Sequence, residues 1–182
     1  MGNKVEARKL VEQINVPVVP GSSDPITNLN EGKKTASLIG YPVLIKAAGG
    51  GGGKGMRIIY SDSELENAIE RAQSEAKNFF ANNQIYIEKY VNEPHHIEIQ
   101  ILADNFGNIV SIGDRECSVQ RRYQKLIEES PSPYINNVTR EKLVKDAIKI
   151  TKSCKYSGAG TIEFLVDKDY NYYFLEMNTR LQ

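Results

Sequence analysis

Two cysteines, Cys117 and Cys154, are all that the 182 residues contain. They are too few for a disulfide framework and too far apart for a CxxC zinc knuckle, so both read as reduced thiols in a reducing compartment. Net charge is missing too, because 23 lysines and arginines offset 23 aspartates and glutamates. Such balance argues against broad binding to nucleic acid or to an anionic membrane. No apolar run approaches the roughly 20 residues of a membrane helix, and Met1 to Lys9 lacks the charged-then-apolar order of a secretory leader. What remains is ordinary globular composition, 40% hydrophobic and 25% charged. That is enough for a real core in one large domain or one and a half.

Apolar spacing sets out the elements. Ala7, Leu10, Val11 and Ile14 form one stripe of a helix from Lys4 to Ile14. Pro17, Pro20, Gly21 and Pro25 break that pattern and mark a linker. A second helix runs to about Leu38 with Gly40 as its C-cap, and Tyr41 to Ala47 and Met56 to Tyr60 read as strands. Ser61 and Glu64 make a capping box. The helix it opens places Leu65, Ala68, Ile69, Ala72, Ala76, Phe79 and Phe80 on its buried face, and Gln84 to Val91 returns to strand. Asn28 to Val91 is therefore expected to be a compact α/β unit. From Pro94 the chain reads as antiparallel sheet with one helix. Ile97, Ile99 and Ile101 alternate with His96, Glu98 and Gln100, the period of a half-buried strand. Asp104 to Asn108 is a turn leading to a strand over Ile109 to Gly113. Thr139 to Lys155 is an amphipathic helix ending near Gly158, and Thr161 to Val166 with Tyr172 to Met177 form a hairpin.

Gly49 to Gly53, with Lys54 and Gly55, is the most unusual stretch. Ordering consecutive glycines is entropically costly, and close wrapping of phosphates by bare backbone N–H groups is a physical reason to accept that cost. The Walker A pattern fails at Ala48 and at Gly55. Gly50, Gly52 and Gly55 satisfy GxGxxG formally, but a strand follows where the dinucleotide fingerprint needs a helix. The stretch is read as a strand–glycine loop–strand flap that closes over a triphosphate.

The last hairpin carries a second inference. With a loop of Lys168 to Asn171, Val166 faces Tyr173 and Glu163 faces Glu176. Opposed carboxylates repel at cross-strand distance. With Asn178 on the same face they form an oxygen cluster suited to magnesium bound together with substrate phosphates. Arg115, Arg121, Arg122 and Lys125 crowd one short span and are candidates to bind a small anion beside that cluster.

Several stretches taken in order resemble the biotin carboxylase family of the ATP-grasp fold. They are Val-Pro-Val-Val-Pro-Gly at 16–21, Gly-Tyr-Pro-Val-Leu-Ile-Lys-Ala-Ala and the glycine run at 40–56, Glu-Lys-Tyr-Val at 88–91 and His-Ile-Glu-Ile-Gln at 96–100. Arg-Glu-Cys-Ser-Val-Gln-Arg-Arg-Tyr-Gln-Lys at 115–125, Gly-Ala-Gly-Thr-Ile-Glu-Phe-Leu at 158–165 and Phe-Leu-Glu-Met-Asn-Thr-Arg-Leu-Gln at 174–182 complete the likeness. The resemblance implies an α+β chain. Residues 1–27 would be the helix and linker that end an absent N-terminal domain. Residues 28–91 would be a small α/β lid carrying the glycine loop, and 92–182 the first part of an antiparallel-sheet core.

By the same resemblance, Lys4 and Lys46 hold the nucleotide phosphates with Gly52 and Gly53 folding over them. Glu88, Lys89, Tyr90 and Val91 line the adenine slot, largely through backbone groups, and His96 approaches the ribose. Gln120 and Tyr123 belong to the nucleotide site as well, Tyr123 standing where many members have histidine. Glu163 and Glu176 hold magnesium or manganese with Asn178 in support, and Lys125 and Arg180 bind bicarbonate and stabilise charge during transfer. The implied reaction uses ATP and bicarbonate to carboxylate biotin on a carrier protein through carboxyphosphate. A carboxyltransferase follows, acting on acetyl-CoA, propionyl-CoA, pyruvate or a related acceptor. A homo-oligomeric, cytoplasmic full-length protein is expected, or one in the mitochondrial matrix or plastid stroma of a eukaryote. The family continues past Gln182 with the expected general base, so the isolated chain is expected to lack turnover. Two other readings stay open: an ATP-grasp ligase like carbamoyl phosphate synthetase, indifferent to biotin, and a non-catalytic nucleotide-binding module.

Overall fold

Capping, strand pairing and burial of apolar stripes set the architecture seen in a computed structural model, which describes residues 4–47, 55–80, 83–122 and 124–182. The chain divides into two units: Val19–Tyr90, and Val91–Gln182 together with the chain up to Val18.

In the smaller unit, strands β1 (Val43–Ala47), β2 (Met56–Ile59) and β3 (Ile85–Lys89) form an antiparallel sheet in the order β2-β1-β3. Helices α2 (Leu29–Ile39) and α3 (Asp62–Phe80) bury their stripes with it, around Ala36, Val43, Ile45, Leu65, Ile69, Ile85 and Ile87. The Asn28 side chain accepts the Glu31 N–H, and Glu31 reaches back to the Thr27 N–H, so orphan donors at the start of α2 are satisfied. Gly40 ends α2 at φ +79° with its N–H on Ala36 O, as a C-cap glycine should. At α3 the Glu64 carboxylate accepts from the Tyr60 N–H and the Ser61 hydroxyl, so Ser61 and Glu64 do mark the helix start, though with a bonding pattern other than the reciprocal capping box. Phe79 departs from expectation, being 77% exposed. It continues the apolar stripe, but 19 residues of helix reach about 28 Å, whereas strands of five span about 17 Å. The last turn of α3 therefore overruns the sheet. The side chain of Phe80 lies outside the described set.

The larger unit is a five-stranded antiparallel sheet in the order β6-β5-β4-β7-β8. Its strands are β4 (His95–Ala103), β5 (Ile109–Arg121), β6 (Gln124–Glu129), β7 (Gly158–Val166) and β8 (Tyr172–Asn178). One face is apolar. Ile97, Ile99, Ile101, Ile162, Phe164, Phe174 and Met177 pack there with Ala7 and Val11 of α1 (Lys4–Gln13) and with Leu143, Ala147 and Ile150 of α4 (Asn137–Ser153). Asn136 caps α4 by accepting the Thr139 N–H at 2.8 Å. The sheet is longer than its apolar pattern announces, for β5 runs on through Arg121 and β6 follows it. Charges hide this stretch. Asp114 and Glu116 are buried, the first paired with Arg140 and the second bonded by His95 and Ser132.

The last hairpin also differs locally. Val166 pairs with Tyr172 rather than Tyr173, and Phe164 with Phe174. A register shift then makes Leu175 the extra residue, and Glu163 meets Glu176 after all. The bulge keeps Phe174 and Met177 on the apolar face while Glu176 and Asn178 share the other.

Candidate functional site

Strand alternation that buries Ile97, Ile99 and Ile101 against helices turns His96, Glu98 and Gln100 to the opposite face of the large sheet. Register does the rest. Glu98 of β4 lies opposite Arg115 of β5 on one side and Glu163 of β7 on the other, and Glu163 lies opposite Glu176 of β8. Three carboxylates thus stand abreast across three adjacent strands. Glu98 has no exposed surface and Glu163 only 3%, so their charges need partners.

Those partners are present. The Lys125 ammonium of β6 bridges the two acids, bonding Glu98 Oε1 and, at 2.9 Å, Glu163 Oε1. Arg115 donates through Nε and Nη2 to Glu98 Oε2 at 3.0 and 2.9 Å. Asn178 Nδ2 donates to Glu163 Oε1, which leaves its own carbonyl oxygen as the atom available to a cation. Gln120 Nε2 donates to His96 Nδ1 at 2.9 Å and to Cys117 O at 2.7 Å. On the other side of the ring His96 Nε2 donates to Glu163 Oε2 at 2.6 Å.

The electrostatic outcome follows from these contacts. Burial pushes the Glu163 carboxyl up, but hydrogen bonds from His96 and Lys125 and their charges prevail and hold it at about 2. Burial works against the Lys125 ammonium as well, yet its bonds to Glu98 and Glu163 keep it above the ordinary lysine value. Cys117 is pushed up to about 12, first by burial and then by the Glu98 charge, so its thiol is inert.

Among the described residues, ligating atoms of His96, Glu98 and Glu163 lie within 4.8 Å of one another. Glu98 accepts at both oxygens from Arg115 and Lys125, and Glu163 at both from His96, Lys125 and Asn178. A magnesium ion prefers oxygen ligands and keeps company with phosphate. Of the three residues expected from sequence for that ion, Glu163 stands opposite Glu176 and is bonded by Asn178.

Other expected residues are distributed as follows. In the smaller unit Lys46 forms an ion pair with Glu88, both half-buried, while β1 and β3 hold them two residues out of register. Lys89 spends its ammonium on the carbonyls of Gly40 and Tyr41, at 2.9 Å each, and its N–H on Pro20 O. Tyr90 donates its N–H to Pro42 O. Val91 begins the larger unit. Arg180 is exposed and bonds Leu181 O and Gln182 Oε1. Lys4 begins α1, with its side chain outside the described set, and Gly52, Gly53 and Tyr123 lie outside the described residues. Sequence reasoning passed over Glu98 as a site residue. The only signal for it was a carboxylate on the polar phase of the β4 alternation.

Residues 3–182 match the family model described as carbamoyl-phosphate synthase L chain, ATP binding domain. The chain is 51% identical over its whole length to biotin carboxylase 1 of Bacillus subtilis, of which it covers 41%. It superimposes over its whole length on the biotin carboxylase–β,γ-ATP complex of Campylobacter jejuni, with a TM-score of 0.91 and 49% identity, covering 41% of that chain. The biotin carboxylase domain of Hydrogenobacter thermophilus 2-oxoglutarate carboxylase, in complex with MgADP, ADP and bicarbonate, aligns with a TM-score of 0.90 and 43% identity, and 40% of it is covered. The chain therefore spans about two fifths of the length of these relatives.

Proposed function

The chain belongs to the family of ATP-binding domains of the carbamoyl-phosphate synthase L chain, and from that membership we propose that it is the ATP- and magnesium-binding part of a biotin carboxylase. Its fold is ATP-grasp α+β. The observation that carries the reading is the line of Glu98, Glu163 and Glu176 across the sheet, with Lys125 bridging the first two. A part-buried ammonium held between carboxylates beside a magnesium-type oxygen set suits a small anion that must meet a phosphoryl group. The likeness to a protein whose complex holds MgADP and bicarbonate supports that choice of ligands.

In this reading Lys46, with Lys4, meets the nucleotide phosphates, and backbone groups of Glu88 to Val91 line the adenine. Glu163 and Glu176 hold the magnesium ion, with Asn178 in support and His96 fixing the Glu163 carboxylate. A bound magnesium ion would neutralise phosphate charge as it develops. Lys125 and Arg180 bind bicarbonate. A bicarbonate oxygen attacks the γ-phosphorus, the bond to the ADP oxygen breaks, and the resulting carboxyphosphate delivers its carboxyl to biotin, releasing phosphate. Most of the catalysis is positioning and electrostatic stabilisation. The partners are a biotin carrier and a carboxyltransferase, and the full-length protein is a homo-oligomer of the cytoplasm, or of the mitochondrial matrix or plastid stroma in a eukaryote. Among the described residues no helix is long and apolar enough to cross a membrane.

ATP hydrolysis by the complete reading frame tests the proposal. Stimulation that needs bicarbonate and free biotin together is the expected result. Hydrolysis indifferent to biotin would indicate a carbamoyl-phosphate-synthetase-like ligase, and magnesium-nucleotide binding without hydrolysis a binding module.

A further inference from the structure

Glu98 is fully buried and bonded by two cations, and the two are held very differently. Arg115 projects from β5, which lies between β4 and β6. Its guanidinium gives Nε and Nη2 to Glu98 Oε2, and Nη2 also reaches Gln100 Oε1 at 3.1 Å and Thr161 Oγ1 at 3.4 Å. Gln100 is itself fixed, accepting from Thr161 and donating to Gly160 O at 2.9 Å. The arginine is thus locked by three acceptors on three side chains. Lys125 stands on the edge strand β6 and brings one flexible ammonium to Glu98 Oε1 and Glu163 Oε1. An ammonium on a four-carbon stem can change partners, whereas a planar fork in a fitted seat cannot readily do so.

We propose that Arg115 is the positioning residue that frees Lys125: it keeps Glu98 paired through Oε2, so the Lys125 ammonium can leave Oε1 for a substrate anion without stranding a buried carboxylate. The proposal rests on the reading of Lys125 as the bicarbonate-binding lysine and adds the device that makes this lysine available. Breaking a buried pair is costly because an uncompensated charge stays behind. With Arg115 in place, Glu98 keeps a guanidinium when Lys125 departs. Without Arg115, Lys125 is the last cation on Glu98 and is pinned there. The two cations are therefore unequal for stability and for anion binding, although both touch the same carboxylate.

The test compares Arg115→Gln, Arg115→Lys and Lys125→Gln in the complete reading frame, each with Glu98 and with Glu98→Gln. Thermal midpoints and the KM values for bicarbonate and for ATP are measured. Arg115→Gln should lower the midpoint by several degrees more than Lys125→Gln, with Arg115→Lys between them. That difference should vanish with Glu98→Gln, where no carboxylate is left to strand. In folded Arg115→Gln the bicarbonate KM should rise roughly tenfold while the ATP KM stays within about twofold. A merely structural arginine would not split the two KM values in this way. Equal midpoints for Arg115→Gln and Lys125→Gln, or an unmoved bicarbonate KM in a folded Arg115→Gln protein, would overturn the proposal. Should Arg115→Gln alone fail to fold, folding of the Arg115→Gln/Glu98→Gln pair supports it and failure of that pair refutes it. If the unmutated protein proves indifferent to bicarbonate, the reading of Lys125 fails, while the midpoints still decide whether Arg115 is the cation Glu98 cannot lose.

Discussion

Replacing Glu163 by glutamine alters one atom in a site where every neighbour counts. The carboxylate is 3% exposed and accepts from His96 at Oε2 and from Lys125 and Asn178 at Oε1. A glutamine can keep its oxygen toward Lys125 and Asn178, but its NH2 then faces the His96 Nε2–H, donor against donor. Switching the His96 tautomer only moves the conflict, because Nδ1–H would then meet the Gln120 amide, which already donates to Cys117 O. One charge-assisted bond is lost and the Lys125 contact is weakened, a cost of about 2–4 kcal/mol. Lys125 keeps Glu98, so the variant should still fold. The acid side gives a second signature. The Glu163 carboxyl is held at about 2 against an ordinary 4.5, so the stability it supplies is fully present above the unfolded value and lost as pH falls toward the folded one. Urea unfolding followed by circular dichroism, in magnesium-free buffer, should show a gap between native and Glu163→Gln proteins. The gap should be constant above about pH 5 and shrink below it. A MgADP titration should give a dissociation constant at least about tenfold weaker in the variant. Equal unfolding midpoints at pH 7, a gap that widens in acid, or an unchanged MgADP constant would each refute this reasoning.

Further tests address separate parts of the molecule. Lys46→Met should weaken MgADP binding by about tenfold or more. Its stability cost should stay within about 2 kcal/mol, since the Lys46–Glu88 pair is part-buried rather than enclosed; paired titration and urea unfolding would separate the two effects. Cys117, buried with its thiol raised to about 12, should resist an aromatic disulfide reagent at pH 8 in the folded protein and react on unfolding, whereas part-exposed Cys154 should react first. Gly32→Ala should cost about 1–3 kcal/mol by overpacking, read from the urea midpoint. A Cβ there would stand 2.5 Å from Ile69 Cδ1 with Ile26 and Ile87 close behind.

What could be read in advance followed the reach of each interaction. Gly40 and the Ser61–Glu64 pair announce helix ends through bonds within four residues; both ends are found in place, the second with Glu64 bonding the Tyr60 N–H and the Ser61 hydroxyl. The Glu163–Glu176 pairing was legible because a hairpin is local. Its turn nevertheless tightens by one residue, and a bulge at Leu175 that no pattern signalled restores the pair. Phe79 kept to its helical stripe while the sheet beneath had already ended, a fact about the lengths of other elements. β6 and the far half of β5 were hidden because Asp114 and Glu116 are buried through partners far away in sequence, Arg140, His95 and Ser132. Glu98 escaped for the same reason. Alternation marks a polar face, but only the register of β4 with both β5 and β7 brings Arg115, Lys125 and Glu163 to that carboxylate. Arg180, expected from the resemblance to bind bicarbonate with Lys125, bonds Leu181 O and Gln182 Oε1.

Transfer of labelled carbon reports most directly on the proposed chemistry. The complete reading frame would be incubated with ATP, magnesium, labelled bicarbonate and biotin, and acid-labile label on biotin counted, with Lys125→Gln in parallel. Biotin carboxylation predicts ATP-dependent label on biotin, lost when ATP is omitted and reduced by at least about a hundredfold in Lys125→Gln. ATP consumption without label on biotin, or undiminished labelling by Lys125→Gln, would contradict the assignment of this lysine–carboxylate cluster to bicarbonate.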